Sequence, residues 1–186
     1  MKILYQKITG RFDDILNDHS GAAAIEFAMV LPLLVILLLG TFELGQAYTV
    51  DRRVTLAASS AADLVSQGEQ IDDAGLTTIM NLADSILAPY NANALSIDII
   101  SVVADAQGNT TVGWSYSKGG GQPYAAGSSY PMTGNLANLI TPTSSVIIAK
   151  ANYTYTPVIG KYLLGGVQLK ETFYLRPRKS LLVQKL

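Results

Sequence analysis

Cysteine is absent from this 186-residue chain, and histidine occurs once, at position 19. Without thiols there is no disulfide framework, so any soluble domain must hold by its core alone. A Cys–His nucleophile has no cysteine, and a Ser–His arrangement has only His19 to serve as base. Zinc-type ligand sets fail on the same count. Charge is scarce too: 15% of residues are charged against 49% hydrophobic, with a formal net charge of −1. A chain so nearly neutral is not built to hold nucleic acid. Two remaining hints of chemistry have plainer readings. Asp72-Asp73 precedes a helical run and reads as a helix cap. Gly119-Gly120-Gly121 lacks the Lys-Ser/Thr that follows a phosphate-binding loop, so it reads as a linker. The expectation is no catalytic residue, no metal, no cofactor and no small-molecule substrate.

What the chain has instead is one long apolar run. Sixteen uncharged residues, 27–42, separate Glu26 from Glu43, and between Ala22 and Phe42 Glu26 is the only ionisable group. About 20 apolar residues rising about 1.5 Å each cross the hydrocarbon of a bilayer. An acid in mid-span costs roughly 2.5–3.5 kcal/mol on insertion scales, and less near an end. Something should offset that cost, so Glu26 reads as functional. The plainer alternative is a residue just inside the headgroup region, solvated by water.

Ahead of the run, residues 1–21 carry Lys2, Lys7 and Arg11 but also Asp13, Asp14 and Asp18. An ordinary secretory signal is the rival reading, with Gly45-Gln46-Ala47 as its small-x-small cut site. Its charged region would be long and partly acidic, and its apolar core would exceed the usual run of about 7–15 residues. An uncleaved single-span anchor is a further alternative. Past the run, Val50, Val54, Ala57, Ala58, Ala61, Leu64 and Val65 recur at helical spacing. The spacing predicts one helix from about Ala22 to about Gln67, roughly 70 Å long. Pro32 removes the hydrogen bond to Ala28 and is expected to kink or loosen it.

Beyond the anchor about 135 residues remain, enough for a real core. Asp72 or Asp73 caps a second helix whose apolar face is Leu76, Ile79, Met80, Ala83, Ile86 and Leu87, ending before Pro89. The period then changes. Segments from Leu95 and from Thr111 flank Gln107-Gly108-Asn109 and read as a β-hairpin. Residues 118–131 read as a surface loop in which Tyr124 and Tyr130 are exposed. A short helix is expected near 135–140, and strands over 146–156 and 167–176. The fold class is α+β, a long N-terminal helix on a mainly antiparallel sheet of about four strands.

Charge is divided along the chain. Residues 48–110 hold two bases and eight acids, whereas 111–186 hold eight bases and one acid. Either a basic sheet packs on acidic helices within one molecule, or oppositely charged halves meet across neighbouring subunits and steer assembly.

The stretch Ser20-Gly21-Ala22-Ala23-Ala24-Ile25-Glu26-Phe27, a polar leader running into a hydrophobic helix, resembles type IV prepilins. Its continuation Ala28-Met29-Val30-Leu31-Pro32-Leu33-Leu34, with Glu43-Leu44-Gly45 later, is similar to the TadE-like minor pseudopilins of tight-adherence (Flp-type) pili. The specific match covers residues 20–60. The remainder resembles the family only in architecture, with a Tyr-rich late strand and a closing Arg-Pro-Arg segment.

The resemblance implies a cytoplasmic leader (1–21), a transmembrane helix (22–47) and an extracytoplasmic pilin-like domain (48–186). It implies cleavage by a prepilin peptidase between Gly21 and Ala22, which would leave no histidine in the mature chain. It places Glu26 and Phe27 at the assembly and register position. Cleavage would free an α-amine on Ala22, protonated with a pKa near 8. Four residues separate it from Glu26, so the two charges share one helical face. In a filament Glu26 would accept a neighbour's amine instead, and a buried charge pair of that kind sets register. Implied partners are the peptidase, other pilins and pseudopilins, the inner-membrane assembly machinery and membrane lipid, and the implied role is structural. It is a minor component, since the Flp-type major subunit is much shorter. Two rivals stay open: an uncleaved membrane-anchored adhesin using loop 118–131, and a secreted periplasmic protein.

Overall fold

The computed structural model describes residues 20–118, 124–158, 160 and 165–186. The expected leader up to His19, and the glycine run 119–121, lie outside the described residues. The chain divides into two compact units, Met1–Leu44 and Gly45–Leu186. Helix α1 spans Ser20–Ser66, and Pro32 lies within it without interrupting the helical assignment.

In the second unit α1 presents Val50, Val54, Ala57, Ala58, Ala61, Ala62 and Val65, all essentially fully buried. Leu64, expected on this stripe, lies at its margin and is 37% exposed, while Ala62 takes the buried place. The four alanine and valine positions from 54 to 61 carry small side chains, which let neighbouring elements approach the helix closely. Helix α2 spans Asp73–Leu87 and is capped by Asp72, whose carboxylate accepts from the Gly75 N–H at 2.8 Å. That cap satisfies one of the four N–H groups a helix start leaves open. Leu76, Met80, Ala83 and Leu87 are buried, with Ile79 and Ile86 half-buried beside them, as the spacing predicts.

Four strands follow: β2 (Leu95–Ala104), β3 (Thr110–Ser117), β4 (Ser145–Tyr155) and β5 (Val167–Leu175). They form an antiparallel sheet in the order β3-β2-β4-β5. The β2–β3 hairpin closes where expected. Asp105 accepts from the N–H groups of Gln107 and Asn109 at 2.9 and 2.8 Å, and Gly108 takes a φ of +85° that favours glycine. The short helix near 135 is a 3₁₀ segment, Gly134–Leu139. The architecture is thus α+β, a long N-terminal helix with a four-stranded antiparallel sheet.

Both faces of the sheet are covered. On the helix side Ile97, Ile99, Trp114, Ile147, Ala149, Ala151, Tyr153 and Tyr155 join α1 and α2 in the main core. On the far side Ile100, Val102, Val112, Val146 and Ile148 form a second cluster, closed by Tyr124, Tyr130, Met132, Leu136, Leu139 and Ile140. The described part of loop 118–131 lies at the surface, with Ala125, Ala126, Gly127, Ser129 and Pro131 exposed, but Tyr124 and Tyr130 are half-buried against this cluster rather than exposed. It is laid along β3, with Val112 N–H donating to the Ser128 carbonyl (2.9 Å) and Gly127 N–H to Val112 (2.7 Å). The reason lies in β2 and β4. Ile99-Ile100 and Val146-Ile147-Ile148 put apolar side chains on both faces, and a strand of that kind needs cover on both sides. Tyr124 and Tyr130 meet edge to face at 5.4 Å, with Lys150 Nζ 4.9 and 5.3 Å from their ring centres.

The C-terminal segment straps this unit. Two short strands, β1 (Gln70–Ile71) and β6 (Gln184–Lys185), pair in parallel next to the α1–α2 connection. Val183 is buried, and its carbonyl accepts from Trp114 Nε1 at 2.8 Å. Among the described residues, three ion pairs use part of the divided charge within the molecule. Lys118 meets Asp84, Arg178 meets Asp63, and Lys185 Nζ lies 2.9 Å from Asp73 Oδ1. Each joins an acid on α1 or α2 to a base from the second half of the chain, so the pairing is within the molecule.

Candidate functional site

The sequence points to the start of α1, and the geometry there is simple. Gly21, Ala22, Glu26 and Phe27 occupy its first two turns, and all four are exposed. Ala22 and Glu26 stand four residues apart, about one turn, so they share a face of the helix. Among the described residues no ion pair or hydrogen bond involves the Glu26 side chain. An α-amine four residues away would exist only in a chain that began at Ala22.

Gly21 has no structural reason to be glycine in this fold. A Cβ built there meets nothing within 4 Å. No packing among the described residues therefore explains a glycine at this position.

The helix that follows is bare. Ile25, Phe27, Met29, Ile36 and Leu38 are each at least 60% exposed, with Val30, Leu31, Leu33, Leu34, Val35 and Leu37 not far behind. Apolar surface on this scale is not stable in water and must be covered by lipid or by another protein. By length and composition α1 is apolar enough to cross a membrane, and none of its most apolar stretch is buried inside the molecule. A core helix of a soluble protein would be largely buried. Pro32 sits in the middle of this stretch, where its missing N–H leaves the Ala28 carbonyl without its helical donor.

Elsewhere the candidates become structural. Asp72 is the cap of α2, and Asp73 is paired with Lys185. Tyr124 and Tyr130, on which an adhesive loop would have relied, are engaged in packing and in the Lys150 cluster. Burial pulls the Lys150 ammonium down, but its hydrogen bonds to Tyr124 and Tyr130 outweigh this and hold it above its ordinary value. The second cluster and the C-terminal strap were not foreseen. The doubled apolar runs in β2 and β4 were a signal for the first, and no local pattern announces the second.

No curated protein and no solved structure matches the chain. A family does, and the reach of the match is informative. It begins at Gly21, the residue whose glycine has no packing role, and stops just short of the end of α1, leaving the whole sheet outside it. Over residues 21–63, the chain matches the model of the TadE-like protein family.

Proposed function

We propose that the chain is a minor pseudopilin of a tight-adherence (Flp-type) pilus, a structural, non-enzymatic subunit that helps to build or prime the fibre. In this reading a prepilin peptidase cuts between Gly21 and Ala22. Residues 27–42 hold the chain in the inner membrane with its N-terminus cytoplasmic, and the domain of α2 and the sheet stands on the opposite side. Other pilins and the inner-membrane assembly machinery are its partners. The observation that carries the reading is a single helix with two characters. Its first half is apolar, bare and opened by Gly21, Ala22 and Glu26, and its second half is the spine of a packed domain. The TadE-like match covers both halves.

The role of Glu26 follows from the cost of a carboxylate in lipid. After cleavage the Ala22 amine offsets that cost within the chain, aided by the helix dipole at the first turn. In the fibre the carboxylate meets a neighbour's amine and fixes axial register. The test combines two measurements on the same cells, N-terminal sequencing of the membrane-extracted protein and the amount of shed pili. The wild-type chain is expected to begin at Ala22. Glu26→Gln should be inserted and processed normally, because it lowers the cost of burial. It should nevertheless shed few pili, with Glu26→Asp intermediate. A wild-type chain beginning at Met1 or after Ala47 sinks the processing step. A processed, fully piliated Gln variant sinks the register role, and an uncleaved one makes Glu26 part of the peptidase's recognition site.

A further inference from the structure

Arg52 and Arg53 are the only bases between residues 48 and 110, where eight acids lie. Three of those acids are taken by bases from the second half of the chain, but no ion pair among the described residues includes either arginine. Their two roles differ. Arg53 is committed to the fold, since its Nη1 donates to the Ile86 carbonyl at 2.9 Å and to Ala88, and its guanidinium lies over the Tyr90 ring. It is a fixed positive charge at the C-terminal end of α2, where the helix dipole favours it. Arg52 is exposed, and its one described hydrogen bond is a long one, from Nη1 to Tyr48 Oη at 3.3 Å. A guanidinium has five N–H donors, so most of its capacity is unspent.

The two arginines line an open cleft of about 630 Å³ together with Tyr48, Leu56 and Ile86. Apolar walls on one side strengthen any charge interaction in the cleft by lowering the local dielectric. Asp51, the neighbouring acid, is displaced about 100° around the helix. The place along the chain is equally specific. Tyr48 comes six residues after Phe42, about 9 Å of helical rise, a distance comparable to the headgroup layer outside the hydrocarbon. Helical side chains lean toward the N-terminus, and Arg52 does so here, bringing its guanidinium back to the level of Tyr48. Tyrosine is itself a residue of the membrane–water interface.

We propose that Arg52, with Tyr48 beside it and the fixed charge of Arg53 behind it, binds the phosphate of an acidic phospholipid headgroup. The site orients the domain at the membrane surface before assembly, using a lipid rather than a protein partner. It rests on residues 27–42 being a retained span, which carbonate extraction tests without reference to lipid class. A chain retained in membranes but without lipid preference fails the present proposal alone.

The experiment is native mass spectrometry of the full chain in mild detergent, titrated with phosphatidylglycerol or with phosphatidylcholine of the same acyl chains. Phosphatidylglycerol adducts should form at about twenty-five-fold lower concentration, as two basic residues at a membrane surface would give. Arg52→Gln should remove about fivefold of that preference, and Lys179→Gln, the loss of an exposed cation elsewhere, should remove none. Tyr48→Phe should fall between them. Equal binding of the two lipids overturns the proposal, as does an Arg52→Gln variant that binds like wild type. Displacement of the lipid by millimolar inorganic phosphate also overturns it, since the site would then be one for a free anion. Because Arg52 is exposed and its contacts are local, an unchanged thermal melt of Arg52→Gln confirms that any loss is not one of folding.

Discussion

The two halves of α1 belong to one helix and have opposite relations to their surroundings. From Ile25 to Phe42 nearly every large apolar side chain is exposed, whereas farther along the helix the stripe of Val50, Val54, Ala57, Ala58, Ala61, Ala62 and Val65 is buried to within 1%. The first half is apolar on every side and carries leucine, isoleucine and valine. The second is apolar on one stripe and built mostly of alanine and valine. A helix that is hydrophobic all round needs an apolar environment supplied from outside, whereas an amphipathic one finds its environment within its own domain. The contrast shows that hydrophobicity alone does not say what a segment packs against. Its distribution around the helix does.

The largest expected effect comes from placing the same charge in each half. Val54→Asp puts a carboxylate into the main core with no partner and should cost more than about 3 kcal/mol, enough to unfold a marginal domain. Leu34→Asp should leave the melting of the domain unchanged and weaken membrane retention, by roughly 2.5–3.5 kcal/mol of insertion free energy. Near-UV circular dichroism melts and carbonate extraction of both variants separate the outcomes. If Leu34→Asp lowered the melting temperature as much as Val54→Asp, the bare half would be part of the domain core and the comparison would collapse.

The legibility of the sequence divides along the same line. Features written in consecutive residues are readable: the charge-free run, Glu26 inside it, a cap at Asp72 or Asp73, the turn at Gln107-Gly108-Asn109 and the inward row Ile147, Ala149, Ala151, Tyr153 and Tyr155. Each depends on local spacing and a period of 2 or 3.6. The far face of the sheet is less legible, because Val146 and Ile148 make β4 apolar in both rows and a continuous apolar run has no period to say which face is covered. The strap was beyond reach for a different reason. Gln70 pairs with Gln184 through backbone groups that any sequence offers, and the Trp114 indole N–H reaches the Val183 carbonyl far along the chain, so neither contact leaves a local pattern. Leu64 was misplaced because it lies at the edge of the stripe, where a small rotation of the helix exchanges it for Ala62. The candidate site is read from the sequence alone, because a lone acid in an apolar run is a one-dimensional signal. Whether it acts as proposed is a matter for a neighbouring chain.

Alkaline titration gives a smaller effect, confined to the packed unit. Lys150 is held above its ordinary value near 10.5, burial being outweighed by its hydrogen bonds with Tyr124 and Tyr130. Tyr153 is raised above 10.0 mainly by burial, with the nearby Tyr90 adding to it. In both cases the folded state binds more protons than the unfolded state once the pH passes about 10, so stability falls as the pH rises. The contribution of Lys150 is complete below its unfolded value and is lost through its raised folded value. Between Ala22 and Leu44 there is no lysine and no tyrosine. Melting followed by near-UV circular dichroism should therefore drop above about pH 10 while helicity of the apolar half persists, and Lys150→Met should flatten part of the drop. A melting temperature independent of pH in this range would show that neither group is coupled to folding.

The smallest effect tests whether the divided charge belongs to one molecule. Arg178 and Asp63 are paired with side chains 60% and 35% exposed, and the Arg178 N–H separately donates to the Ser66 carbonyl at 2.9 Å. The backbone contact survives any change of side chain, so substitutions here read the charge alone. An exposed pair of this kind is worth under about 1 kcal/mol and is weakened by salt. Asp63→Lys and Arg178→Glu should each lower the melting temperature slightly at low ionic strength. The double variant, with the pair reversed, should recover most of the loss. High salt should shrink all three differences. That pattern is the signature of two charges that see each other within one chain. The alternative has a different signature. If the single reversals left the melt untouched but changed pilus output, and the double variant failed to restore it, each charge would be facing a partner on a neighbouring subunit. The intramolecular distances favour recovery in the double variant, because the acids on α1 and α2 already have their bases close at hand.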